Sequence, residues 1–124
     1  MALAGYGEVA LEHIRHPRNV GRLPGANAVG TIDDRATENL ITLYLRIEDD
    51  RVVAAGFRTL GCSACIAASS VATELLGGAE LAEARAIDAP ALLAALGGLP
   101  ADRQHCAELV ARALRDALAS YSER

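Results

Sequence analysis

The chain has 124 residues and a formal charge of −4, and all twelve of its basic residues are arginine. That length suits a single domain over residues 1–124, with a core that needs no disulfide bonds. The acidic balance argues against a nucleic-acid partner, and the lack of lysine excludes Schiff-base chemistry and a lysine-based phosphate loop. Because no apolar run could span a bilayer and residues 1–6 lack the features of a signal peptide, we expect a cytoplasmic protein with no membrane partner.

The first half of the chain predicts one helix and then strands. Apolar residues recur at helical spacing over residues 6–13, and a proline ends that pattern. Residues 17–25 are rich in turn formers and predict an ordered loop. A weak strand signal over residues 28–32 precedes two stronger alternating runs at 41–47 and 52–60, which predict a hairpin.

The second half predicts helices. The period changes after residue 60 and indicates a helix over residues 65–76, capped by Ser63 or Gly61 and closed by a glycine pair. A short helix from Pro90 and a last helix that starts near Asp102 follow. Strands followed by helices favour an α+β fold, in which a small antiparallel three-stranded sheet has helices packed on one face.

All three cysteines lie near predicted helix starts, where backbone N–H groups stabilise a thiolate. Cys62 and Cys65 form a C-x-x-C pair at one helix start, and Cys106 lies beside His105 at the start of the last helix. If these two helix starts meet, three thiolates and an imidazole surround one point, a set that suits zinc or an iron–sulfur cluster. Alternatively, Cys65 and Cys106 are small buried core residues.

A family resemblance is carried by several motifs that occur in the family's order across nearly the whole chain. These are HPRNVG at 16–21, RTLGC at 58–62, IAASS at 66–70 and HCAEL at 105–109. The chain thereby resembles the IscU/NifU-type iron–sulfur cluster assembly scaffolds. The resemblance implies a non-enzymatic α+β scaffold on which a 2Fe–2S cluster is built from iron and from sulfur delivered by a cysteine desulfurase, then passed to client apo-proteins.

The resemblance also implies roles for individual residues. Cys62 matches the second cysteine of the family, and His105 and Cys106 match its final motif, with Cys106 as a sulfur acceptor as well as a ligand. The family's first cysteine and its aspartate are replaced here by Thr37 and Asn39, so two expected ligands are missing.

Two further departures bear on the site and its partners. Cys65 stands where the family has a small or hydroxyl residue, and it could supply the missing thiolate. Residues 99–104 depart from the proline-rich segment with a lysine that a dedicated chaperone reads in some members, which argues against recognition by that chaperone.

Three functions remain compatible with these residues. The favoured one is a scaffold or carrier that binds iron or a 2Fe–2S cluster through a rearranged metal site of Cys62, Cys65, Cys106 and His105. The second is a degenerate paralogue that binds a desulfurase or a client without building a cluster. The third is a sulfur relay, in which Cys106 accepts persulfide while zinc occupies the other ligands. Cys65 favours the first, because a decaying site would not need a new thiol beside the old one.

Overall fold

A computed structural model describes residues 5–121 of the chain; most of the stretch examined for a signal peptide, residues 1–4, lies outside the described part, as do residues 122–124. The described elements are α1 (Glu8–Arg15), β1 (Ala28–Asp34), β2 (Asn39–Glu48), β3 (Arg51–Leu60), α2 (Ser63–Leu76), α3 (Leu81–Arg85), α4 (Ala89–Leu96), a 3-10 turn (Ala101–Arg103) and α5 (His105–Ser120).

The strands form one antiparallel sheet in the order β1-β2-β3, and helices pack on one of its faces, which confirms the predicted fold class. Alternate residues of β2 are buried against the helices, as its period-two sequence pattern predicts. The hairpin between β2 and β3 turns on Asp49 and Asp50, which both have positive φ. Two consecutive residues with positive φ form a two-residue hairpin turn. The twist of this turn matches the twist of the flanking strands.

Small residues bring α5 into close contact with the sheet. Gly30 of β1 lies directly under α5, and a Cβ atom at this position would overlap the backbone of Ala113 and Ala117. Half of the buried residues of α5 are alanine, so the helix backbone approaches the strand closely. This contact fixes the position of the first turn of α5, which carries Cys106.

The central helix α2 is buried on nearly all sides, between β3 and the helices α1, α4 and α5. It can be surrounded because most of its side chains are small. Phe57 of β3 is the largest side chain that is fully buried against these elements. None of the helices in residues 5–121 is both long and apolar enough to cross a membrane.

The loop after α1 is ordered, as predicted, because polar contacts fix it to α2. The backbone N–H of Arg18 donates to Ser70 Oγ at 2.9 Å. The Ser70 hydroxyl lies 2.7 Å from His13 Nδ1, and His13 Nε2 lies 3.3 Å from the Glu74 carboxylate. When the ring proton of His13 is on Nε2, that nitrogen donates to the Glu74 carboxylate and Nδ1 accepts from the Ser70 hydroxyl. His13 therefore joins α1 and the loop to α2.

Three local predictions need correction. Cys62, rather than Ser63 or Gly61, is the N-cap of α2. The α-helical part of α5 begins at His105, because the residues after Pro100 form a single 3-10 turn first. Helix α3 was not predicted, since it has only five residues and a capping box in which Glu80 takes the place of the usual serine or threonine.

Candidate metal centre

The three cysteine side chains meet where the starts of α2 and α5 pack together. Cys62 caps α2, Cys65 lies in its first turn, and Cys106 lies in the first turn of α5. Their sulfur atoms all lie within 4.8 Å of one another, and the sulfurs of Cys62 and Cys106 are 3.3 Å apart. Residues separated by 44 positions in the chain thus form one group of sulfur ligands.

The three thiols differ in their access to solvent. Cys65 and Cys106 are fully buried, whereas Cys62 is half-buried. His105 is exposed, with Nε2 3.7 Å from the sulfur of Cys106, but its ring lies outside the group of atoms that are mutually within 4.8 Å. The site therefore has sulfur at its inner side, Cys62 at its opening and an imidazole at its rim.

Hydrogen bonds among the thiols concentrate one negative charge on Cys62. The Cys106 and Cys65 thiols, helped by backbone N–H groups at the start of α2, hold the pKa of Cys62 well below its usual range. Pairing with Cys62 raises the pKa of Cys106 to about 12. Hydrogen bonding to Cys106 and Cys62, together with burial, raises the pKa of Cys65. Without a bound metal, these directions favour a thiolate at Cys62 and protonated thiols at Cys65 and Cys106.

Asn39 has a structural role beside the site. Its side-chain oxygen accepts the backbone N–H of Cys62 at 3.0 Å, and its amide donates to the Thr37 hydroxyl at 3.0 Å. Gly61 allows this contact, since a Cβ there would overlap the Asn39 oxygen. Asn39 thus bonds both Thr37 and the backbone of Cys62, so its carboxamide fixes the start of β2 to the site.

Two residues near the thiols were missed by sequence reasoning. Burial, together with the negative charge of Cys62, raises the pKa of Tyr6, while the Arg103 guanidinium acts in the opposite direction. Arg103 also opposes the rise in the pKa of Cys106. Both residues therefore lie close enough to interact with the thiols. Neither belongs to a local ligand motif, and Tyr6 reaches the site only through tertiary packing.

Comparison with known proteins identifies the family of this chain. The family model of the NifU-like N terminal domain matches residues 5–124. The iron-sulfur cluster assembly scaffold protein IscU 1 of Archaeoglobus fulgidus is 41% identical over 116 residues, which cover 94% of this chain and 76% of that protein. The scaffold protein IscU of Aquifex aeolicus is 36% identical over 118 residues, which cover 94% of this chain and 75% of its own length.

Solved structures share the fold. FiSufU, an iron-sulfur cluster assembly scaffold protein for the SUF system of Fervidobacterium islandicum AW-1, matches with a TM-score of 0.76 and 19% identity, covering 95% of this chain and 99% of that one. The N-terminal part of a NifU-like protein from Brucella abortus matches with a TM-score of 0.62 and 24% identity, covering 92% and 82%. The architecture, the length of the match and the identity to the curated relatives agree: the chain belongs to the NifU-like N terminal domain family.

Proposed function

We propose that this chain is an iron–sulfur cluster assembly scaffold that receives iron and sulfide on Cys62, Cys65 and Cys106. The observation that carries the proposal is the group of three sulfurs within 4.8 Å of one another in a member of this family. Thiolates are soft ligands and favour iron–sulfur clusters, zinc and copper(I) over hard cations. The relatives named as scaffold proteins support the same assignment.

The sulfur spacing suits a small inorganic cargo. Metal–sulfur bonds of about 2.3 Å place two ligands of one ion at most about 4.6 Å apart, close to the 4.8 Å limit found here. A 2Fe–2S cluster takes four protein ligands, and three thiols leave one position open. We assign that position to His105 at the exposed rim. A cargo that has one of its four ligands at the exposed rim can leave readily, which suits a carrier better than a resident cofactor.

We further propose that a cysteine desulfurase supplies the sulfur and that client apo-proteins receive the cluster. The acceptor role proposed for Cys106 requires some opening of the site, because its sulfur is fully buried, whereas Cys62 is half-buried. Mass spectrometry after incubation with a desulfurase and cysteine identifies the acceptor. Loss of the added sulfur in Cys106→Ser, with retention in Cys62→Ser, supports Cys106, and the reverse result assigns the role to Cys62.

The role of Cys65 gives the direct test of the rearranged site. Protein purified without oxygen should contain iron and acid-labile sulfide, and both Cys65→Ser and Cys65→Ala should lose them because one of three thiolates is missing. The neighbouring Ser63→Ala is the matched control and should keep its full metal content. If Cys65→Ser also retains the full content of metal and sulfide, Cys65 is a core residue and the rearranged site is wrong.

A second candidate is a zinc-containing sulfur relay, which one observation favours. Three thiols with a nearby imidazole form the Cys3His set that is common in structural zinc sites. The same metal analysis separates the candidates. Zinc without acid-labile sulfide supports the relay, iron with sulfide supports the scaffold, and no metal in any preparation supports a paralogue that binds partners only.

A further inference from the structure

The face of the sheet that the helices leave open carries a groove. Two adjoining cavities of about 520 and 450 Å³ lie on this face and share Thr42, Tyr44 and Arg58. We call the two together the outer groove. None of its lining residues is a ligand proposed above, and the helices lie on the other side of the sheet.

The strand register explains how the outer groove is built. Arg58 of β3 lies opposite Thr42 of β2, which lies opposite Thr31 of β1, and the two threonine hydroxyls are 3.1 Å apart. These three polar residues form the floor of the outer groove. The loop from Arg22 to Ala26 contributes to the lining of the larger cavity. The loop follows directly on Gly21, whose carbonyl oxygen lies so close to Gly56 of β3 that a Cβ atom at Gly56 would overlap it.

The charge of the outer groove is positive and uncompensated. In the part of the chain that the structure describes, Arg22 and Arg58 are its charged lining residues and no carboxylate lines either cavity. Among residues 5–121 neither of these arginines forms an ion pair. In a chain with a net charge of −4, two unpaired guanidinium groups in one groove favour an anionic occupant.

Apolar side chains flank these arginines and lead toward the thiols. Leu60 is 70% exposed and Val20 is 61% exposed, both at the end of the outer groove that includes Leu40. Leu60 lies two residues before Cys62, the half-buried thiol at the opening of the metal centre. A polypeptide seated in the groove would therefore contact aliphatic side chains next to the site where cargo enters or leaves.

We propose that the outer groove binds an extended segment of a partner protein, in which a carboxylate is flanked by aliphatic side chains. This inference rests on the proposed function, since the partner is one that exchanges cargo at Cys62. From Tyr44 to Leu40 the strand advances about 13 Å, enough for about four extended residues. Nucleic acid is disfavoured, because a phosphate backbone needs a longer stripe of positive charge than two arginines.

A charge-swap experiment with short peptides tests the proposal. The probes are acetylated hexapeptide amides that alternate leucine with glutamate, with glutamine or with lysine, titrated into ¹⁵N-labelled protein. We expect the glutamate peptide to shift the amide signals of Thr42, Tyr44 and Arg58. Arg58→Glu should weaken that peptide about tenfold, the loss of roughly one charge-assisted hydrogen bond, and should strengthen binding of the lysine peptide. Arg58→Gln should lie between the parent and Arg58→Glu.

Arg112→Glu is the matched control, because Arg112 is exposed on α5, on the helical side of the molecule. It carries the same charge change and should leave the affinity for the glutamate peptide unchanged. Equal binding of the glutamate and glutamine peptides, equal weakening by both charge reversals, or shifts confined to the helical face would overturn the proposal.

The same variants separate this inference from the proposed function. After reconstitution with iron and sulfide in the absence of partner proteins, Arg58→Glu should hold as much iron and sulfide as the parent, because Arg58 is not a ligand. If the parent binds the peptide as expected but never retains a cluster, the scaffold assignment fails and the groove stands. If cluster retention is normal and the peptide results are negative, the groove proposal fails alone.

Discussion

Cys62 combines partial exposure with a lowered pKa. It is half-buried at the opening of the site, while its two neighbours are fully buried. The Cys106 and Cys65 thiols donate to it and hold its pKa well below the usual range. A thiolate is the form that binds metal and attacks electrophiles. The apo protein therefore presents one prepared ligand, and the other two lose their protons as metal arrives.

This arrangement predicts the alkylation chemistry of the metal-free protein. Iodoacetamide should modify Cys62 first, at a rate that changes little between about pH 6 and 8, because its thiolate is already formed. The rate for a free thiol rises about tenfold per pH unit below its pKa. Peptide mass mapping measures the rate at each cysteine, so Cys65 and Cys106 serve as internal controls.

Cys106→Ala tests the cause of that pH profile. The variant removes the thiol that lowers the pKa of Cys62 most, so alkylation of Cys62 should become strongly pH-dependent over the same range. A flat profile in Cys106→Ala would show that Cys106 contributes little and that Cys65 and the backbone N–H groups of the helix start are enough to ionise Cys62.

At the scale of elements, the contact between α5 and β1 depends on one missing side chain. A Cβ at Gly30 would overlap the backbone of α5 at Ala113 and Ala117. We expect Gly30→Ala to lower the free energy of unfolding by about 1–3 kcal/mol, the usual cost of overpacking a core. Urea denaturation measures this change.

Gly77→Ala is the control for Gly30→Ala. Gly77 has φ −62, and a Cβ there would meet only the Thr73 carbonyl oxygen at an ordinary 3.6 Å. Its free energy of unfolding should therefore stay the same or rise slightly. Equal effects of the two substitutions would mean that the contact between α5 and the sheet yields easily. In that case the position of Cys106 would not depend on it.

Local patterns in the sequence predicted the elements well where each element is long and regular. Residues alternate along β2, and a glycine pair ends α2. The spacing of apolar residues and the helix-ending glycines therefore predicted the type and order of these elements. The start of α5 was less well predicted because a 3-10 turn and an α-helix share the same local signals. Helix α3 escaped because its five residues are too few for a periodic pattern.

At the scale of the molecule, the His13 contacts make stability depend on pH. Burial lowers the pKa of His13 below the 6.5 of an exposed histidine, with the Glu74 carboxylate acting in the opposite direction. The unfolded chain therefore binds a proton more readily than the folded protein. The contribution of His13 to stability is complete above about pH 6.5 and declines as the pH falls toward the lower folded pKa.

His13→Gln should abolish this part of the pH dependence. The thermal midpoint of the parent should fall between about pH 6.5 and 5, whereas that of the variant should change less. The variant should also lose about 1–3 kcal/mol at neutral pH, since Ser70 and Glu74 lose a buried partner. If parent and variant show parallel pH profiles, another group causes the decline.

The site was predictable only in part, because its residues come together from distant segments. The cysteines were visible as metal-ligand types at helix starts, and their spacing within α2 was informative. The proximity of Tyr6 to the thiols and the bond from the Cys62 N–H to Asn39 depend on how the first helix and the start of β2 pack. No local pattern encodes such contacts, because each joins residues more than twenty positions apart.

The 44-residue separation between Cys62 and Cys106 gives their shared cargo a mechanical effect. A metal bound to both closes a covalent loop that contains α2, α3 and α4, in the way that a removable disulfide would. Closing a loop of this length lowers the conformational entropy of the unfolded chain, which stabilises the folded protein by about 4 kcal/mol. Loading would therefore tighten the fold and delivery would loosen it, so that the emptied protein is the form more exposed to proteases. The lifetime of each molecule before proteolysis would therefore depend on whether a metal is bound.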